Sequence, residues 1–215
     1  MATNTLADKL ESYRLLIFNS RDARVAPLLD AIGVNSSYIE QGVALYNETM
    51  QLVDQQKKEY QEQSLAYDTF YVEKDEAEIN HLRTLKLVKV LARNDEDLQD
   101  RLKLHAGKVY AIEAWIDSVV DFYNSLLNET DFLPILAKFK LTAERITAEL
   151  KAFKDLKQLR NEAMMEKGQA QEATRLRNEK LDALADYCTE LKTIAEIALE
   201  RQPQLLETLG ILVRS

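Results

Sequence analysis

"QEQSLAYDTFYVEKDE", residues 61–76, decides how this chain folds. It lies inside a segment, residues 43–93, that contains no glycine and no proline. If it hides a turn, the segment folds back into a hairpin; if not, the segment is one long helix. No pairing of Gly, Pro, Asn or Asp marks a turn in it. Around it the apolar and aromatic residues advance in steps of three and four. They run Ile39, Val43, Tyr46, Met50 and Val53, then Tyr60, Tyr67 and Tyr71, then His81, Leu85, Val88 and Ala92. Lys57, Ser64, Lys74 and Glu78 fill the seam where an apolar residue is missing. A helical period sustained this far without caps predicts a long helix of coiled-coil type, about 60 residues in length.

The second half repeats the pattern. Thr142 is placed to cap a helix carrying Ile146, Leu150, Phe153, Leu156 and Leu159. A polar middle containing Gly168 follows. Leu181, Leu184, Cys188, Leu191, Ala195 and Ala198 then resume the spacing until "RQP", 201–203. Short helices punctuate the long segments at "APLLDAIGV" (26–34), "EDLQDRLKL" (96–104), "LPILAKFKL" (133–141) and "QPQLLETLGI" (202–211). Proline suits the first turn of such a helix and glycine its end. Asp95 reads as a cap, and Ser37 with Glu40 as a capping box. Residues 6–20 form one further helix. Residues 108–127, with the only tryptophan, Trp115, form the most apolar one, suited to a buried position or an interface.

Sliding the sequence along itself until Pro27 falls on Pro134 aligns this punctuation without a gap. Leu29 then meets Leu136, Asn35 meets Thr142, Ile39 meets Ile146 and Tyr46 meets Phe153. Asp95 meets Gln202, and Leu98 and Leu102 meet Leu205 and Leu209. We read residues 1–107 and 108–215 as two copies of one helical unit, packed as one structural domain. The expected fold is all-α, with long antiparallel helices whose apolar ends join the short helices in two clusters. The alternative is a compact up-down four-helix bundle, with turns near 61–75 and 168–178.

Composition agrees with a helical protein. Leu, Ala, Glu, Lys and Gln dominate, with five glycines and three prolines in 215 residues. The formal charge of −8, from 36 acidic and 28 basic side chains, argues against nucleic acid as a partner. Cys188 is the only cysteine, so no disulfide forms within the chain. The first residues lack the basic and apolar runs of a signal peptide, and nothing approaches a membrane span. A cytoplasmic protein is expected.

Motifs for chemistry are sparse. There is no glycine-rich phosphate loop, no CxxC, no nucleophile elbow and no HExxH, so no catalytic residue and no cofactor is assigned. Glu78 and His81, in "EINH", have the spacing by which helical bundles aim a carboxylate and an imidazole at a metal. Only two histidines exist, His81 and His105, and the residues aligned with the pair in the second half are Ala185 and Cys188. Cys188, between Leu184 and Leu191, reads as a core residue. "HLRTLKLVKVLAR", 81–93, places Arg83, Lys86, Lys89 and Arg93 along one side and Leu82, Leu85, Val88 and Leu91 on another. A basic amphipathic helix docks on a partner groove or on anionic lipid, the lipid surface being the weaker expectation.

The expected function is therefore a non-enzymatic scaffold or assembly protein that binds protein partners or itself. Arg83, Lys86, Lys89 and Trp115 are its candidate contact residues. The alternative is a ligand- or metal-binding bundle with a ferritin-like role.

Overall fold

The structure, a computed structural model, describes residues 5–107 and 109–213. It contains eight helices and no strand among these residues. They are α1 (Leu6–Asn19), α2 (Ala26–Asp30), α3 (Ser36–Leu91), α4 (Glu96–Arg101), α5 (Ile112–Asn128), α6 (Leu133–Ala137), α7 (Ala143–Ala198) and α8 (Gln204–Thr208). The protein is all-α, and α3 and α7, of 56 residues each, pack against one another. Residues 61–76 are helical throughout, so the hairpin alternative does not occur. Phe70 explains why this polar stretch stays in register. Its ring is fully buried, and the Arg160 guanidinium lies 5.7 Å from its centroid. The buried aromatic is thus Phe70, not Tyr71 of the expected seam, which stands exposed.

Two compact units divide the chain. Unit 1 comprises residues 1–60 and 169–215, and unit 2 comprises residues 61–168. Each takes one end of α3 and the opposite end of α7, so the units cut across the halves 1–107 and 108–215. In unit 1, α1, α2 and α8 close a core of Ile17, Leu29, Val34 and Ile39 against Leu184, Cys188, Leu191 and Leu209. The long helices run antiparallel there: Lys180 pairs with Glu48 at 2.8 Å, and Arg177 donates to Gln56 at 2.9 Å. In unit 2, α4, α5 and α6 close a core of Tyr123, Leu126, Leu136 and Ile146 against Phe70, Val88 and Leu102. Apolar burial stabilises by about 25 cal/mol per Å², so these two clusters supply the main folding force.

Element boundaries recur under the shift that lays Pro27 on Pro134. It carries Ala26–Asp30 onto Leu133–Ala137, and Ser36–Leu91 onto Ala143–Ala198. The four described residues with positive φ obey it too: Gly33 (98°) with Lys140 (64°), and Lys103 (51°) with Gly210 (75°). Each follows a short helix and precedes a buried or half-buried aliphatic whose N–H returns to that helix. Val34 donates to the Leu29 carbonyl, Leu104 to that of Gln99, Leu141 to that of Leu136 and Ile211 to that of Leu206, at 3.0–3.2 Å. This is the Schellman ending, which satisfies orphan carbonyls and needs one left-handed residue.

Caps explain the other boundaries. Asn35 caps α3, its side chain accepting from the Tyr38 N–H at 3.0 Å, so the Ser37–Glu40 box is not the one used. Asp95 caps α4 at 2.9 Å, and Thr142 caps α7 at 3.4 Å. Gly168, where the four-helix alternative has its second turn, is a helical and exposed residue.

Candidate functional site

The C-terminal part of α3 presents two different faces in unit 2. The inner face carries His81 and Thr84, both buried, over α5 and α7. Glu149 of α7 is the centre of this interior. Its Oε2 accepts from the Thr84 and Tyr123 hydroxyls, each at 2.7 Å, and its Oε1 pairs with the Arg145 Nε at 3.0 Å. A buried charge is costly unless fully bonded, and these three donors meet that need. Because the Tyr123 hydroxyl gives its proton to Glu149, it can only accept from His81. His81 Nδ1–H lies 3.3 Å away, which fixes the tautomer and leaves Nε2 unprotonated. Burial pushes the His81 imidazole down to about 4, against a smaller opposing pull from Glu149 and Glu78. Burial also raises the Tyr123 phenol, with the Glu149 charge adding to it.

Glu78 and His81, the weak metal candidates, each have a different partner. Glu78 is held by Lys74 at 2.6 Å, while His81 is held by Tyr123. No third His, Cys, Asp or Glu joins them in a ligand group among the described residues. Trp115 packs its ring on Phe153 at 5.4 Å under Lys74, and is half-buried. It joins the core of unit 2, and with His81 and Lys89 it lines a hollow of about 290 Å³. Cys188 is buried in unit 1, and burial pushes its thiol up to about 12. A larger hollow of about 610 Å³ lies beside α2, lined by Arg21, Asp30 and Glu40, of which Arg21 and Glu40 pair at 2.6 Å.

The outer face of α3 carries the basic residues. Arg83, Lys86 and Lys89 are exposed, as is Arg93 in the turn beyond the helix, and none has an ion-pair partner among the described residues. Three aliphatics stand between them: Ile79 at 52% exposure, Leu82 at 44% and Val90 at 60%. At 3.6 residues per turn, positions 79–90 of this set fall within an arc of roughly 120°. Leu82 therefore belongs to the basic side, while Leu85, Val88 and Leu91 turn toward the core.

The residues aligned with these in the second half form the matching outer face of α7 in unit 1. They are Asp186, Thr189, Glu190, Thr193, Glu196 and Ile197, with Glu200 in the following turn, and all are exposed. Arg83, Lys89 and Arg93 have Glu190, Glu196 and Glu200 at their places. Lys86 has Thr193, and Asp186 stands where the first half has Ile79. Glu196 lies 4.0 Å from Lys192 on the same helix. Ile197, 64% exposed, matches Val90. The sequence spacing revealed the basic face. The acidic one was equally legible by the same shift, but a chain rich in Glu gives no reason to single it out.

No family model matches this chain, and neither a curated protein nor a solved structure matches it. Among the described residues no helix is long and apolar enough to cross a membrane.

Proposed function

We propose that this chain is a non-enzymatic assembly protein that binds further copies of itself. The basic outer face of α3 in one molecule docks on the acidic outer face of α7 in another. The observation that carries the proposal is the opposite charge of two exposed helical faces at corresponding positions. Unpaired exposed cations on an acidic chain favour an acidic partner, and the chain itself presents one. Ile79, Leu82, Val90 and Ile197 supply apolar contact once the charges have set the register. Such a contact is heterologous, so each docked pair keeps one free face of either sign and the array propagates or closes into a ring.

The repeated element boundaries support reading 1–107 and 108–215 as two copies of one unit. On that reading, charge divergence between the copies created the complementary faces. One buried thiol and the absence of any disulfide support a cytoplasmic setting.

Multi-angle light scattering tests the proposal. The mass should rise with protein concentration at low salt and fall toward the monomer as salt screens the faces. The double variant Lys86→Glu, Lys89→Glu should stay monomeric at concentrations where the parent associates. A parent that is monomeric at low salt, yet floats with anionic vesicles through Lys86 and Lys89, would replace self-assembly with membrane docking.

A further inference from the structure

The polar interior of unit 2 has no counterpart at the aligned positions of unit 1. Arg145, Glu149, Tyr123 and His81 form one hydrogen-bonded chain, with 3.0, 2.7 and 3.3 Å between successive members. Unit 1 has Tyr38, Gly42, Leu16 and Cys188 at these places. Leu16 and Cys188 are buried in its core, so a core closes there without such a chain. Burying polar groups costs desolvation at every member, and an apolar core is often as stable. The chain ends at His81 Nε2, which has no partner among the described residues. That atom is not among their buried orphan atoms either, so it reaches an accessible surface. The surface it reaches is the hollow of about 290 Å³ that His81 lines, since Nδ1 is turned to the fully buried Tyr123. Leu85, Val109 and Trp115, each half-buried, line the same hollow together with Phe122. Ser125 lines it where unit 1 has Phe18, whose ring packs on Tyr46 at 5.6 Å. Lys89, Lys103 and Asp121, all exposed, stand at its rim.

We propose that this hollow binds a small neutral phenol, whose ring lies among Leu85, Trp115 and Phe122 and whose hydroxyl donates to His81 Nε2. An unprotonated imidazole nitrogen can only accept, so the ligand must bring an O–H or N–H donor. The chain behind it strengthens that acceptor. Tyr123 gives its proton to Glu149 and His81 gives its own to Tyr123, so each bond polarises the next. A phenol keeps its proton at neutral pH, since it titrates only near pH 10. A carboxylate has no proton to give at that pH and would set its charge against the free lone pair. A cation would pass two lysines and one aspartate at the rim, which disfavours it. Apolar and aromatic walls around one placed polar atom are the usual composition of a small-molecule site. A dry cavity of about 150 Å³ holds a benzene ring, so this hollow has room for a substituted one.

Isothermal titration of the full chain with 4-ethylphenol tests the proposal, against its isomer 4-methylanisole, which has the same atoms but no O–H. Saturable binding at one site per chain is expected, with the ether at least tenfold weaker. In long-range nitrogen–proton NMR spectra the His81 Nε2 resonance should move as the phenol saturates and stay in place with the ether. His81→Leu should weaken phenol binding tenfold or more. Ser125→Phe, which introduces the residue that unit 1 carries at this place, should fill the hollow and do the same. A thermal melt of each variant checks that it folds. If His81→Leu does not, Ser125→Phe and the Nε2 resonance decide. No saturable binding at millimolar phenol, equal binding of the two isomers, or an Nε2 resonance unmoved at saturation would overturn the proposal.

Discussion

His81 is buried as a neutral imidazole, so its protonation opposes folding. Its ordinary value of 6.5 drops to about 4 in the folded chain. The unfolded chain therefore binds the proton more readily, and stability falls as pH drops from about 6.5 toward 4, where the loss levels off. The loss amounts to roughly 3 kcal/mol at about 1.4 kcal/mol per pH unit. His81→Leu should flatten this part of the stability–pH curve in urea melts, since only an acceptor position on Tyr123 is left unfilled. Two glycines should respond in opposite directions. Gly42→Ala would push a Cβ into the Tyr187 ring and cost about 1–3 kcal/mol, as overpacking does. Gly168→Ala meets open space on a helix surface and should gain about 1 kcal/mol in the same melts. His81 could be singled out from the sequence as a seam residue, but its partners could not. Tyr123 and Glu149 come from two other helices, and no spacing along one helix connects them.

The short helices show at the element scale what a sequence reveals and hides. Pro27 and Pro134 sit in the first turns of α2 and α6, where a missing N–H costs nothing. Gly33 and Gly210 advertise left-handed residues openly. Lys103 and Lys140 do the same job, and nothing in their side chains says so. Only laying the first half on the second exposes them, by placing each beside a glycine. Lys140→Gly should therefore raise stability by about 1 kcal/mol, the cost of holding an L-residue in that region. A thermal melt that shows a loss instead would mean that the Lys140 side chain contributes contacts worth more than the strain. The long helices were legible because an unbroken period of three and four outweighs a polar composition. The position of the buried aromatic was not, because Phe70 and Tyr71 are adjacent and only packing against Arg160 and α7 chooses between them.

At the scale of the whole molecule, the proposed assembly rests on two exposed faces of opposite sign, one in each unit. Arg83, Lys86, Lys89 and Arg93 on one unit answer Asp186, Glu190, Glu196 and Glu200 on the other. Surface charges are individually worth little, about 1 kcal/mol or less per pair, so the proposed contact would need several acting together with the exposed aliphatics. The division into compact units was the least legible feature. Unit 1 is assembled from the two ends of the sequence and unit 2 from its continuous middle, with boundaries that fall inside α3 and α7 where no break in the helical period marks them.

The most direct test of this account uses two charge-reversed proteins. One carries Arg83→Glu, Lys86→Glu and Lys89→Glu; the other carries Glu190→Lys, Glu196→Lys and Glu200→Lys. Each alone should remain monomeric by light scattering at low salt, since both of its faces then bear the same sign. Mixed in equal amounts they should associate again, and salt should reverse it. If each reversed protein associates as the parent does, or if the mixture stays monomeric where the parent assembles, the proposed contact does not exist.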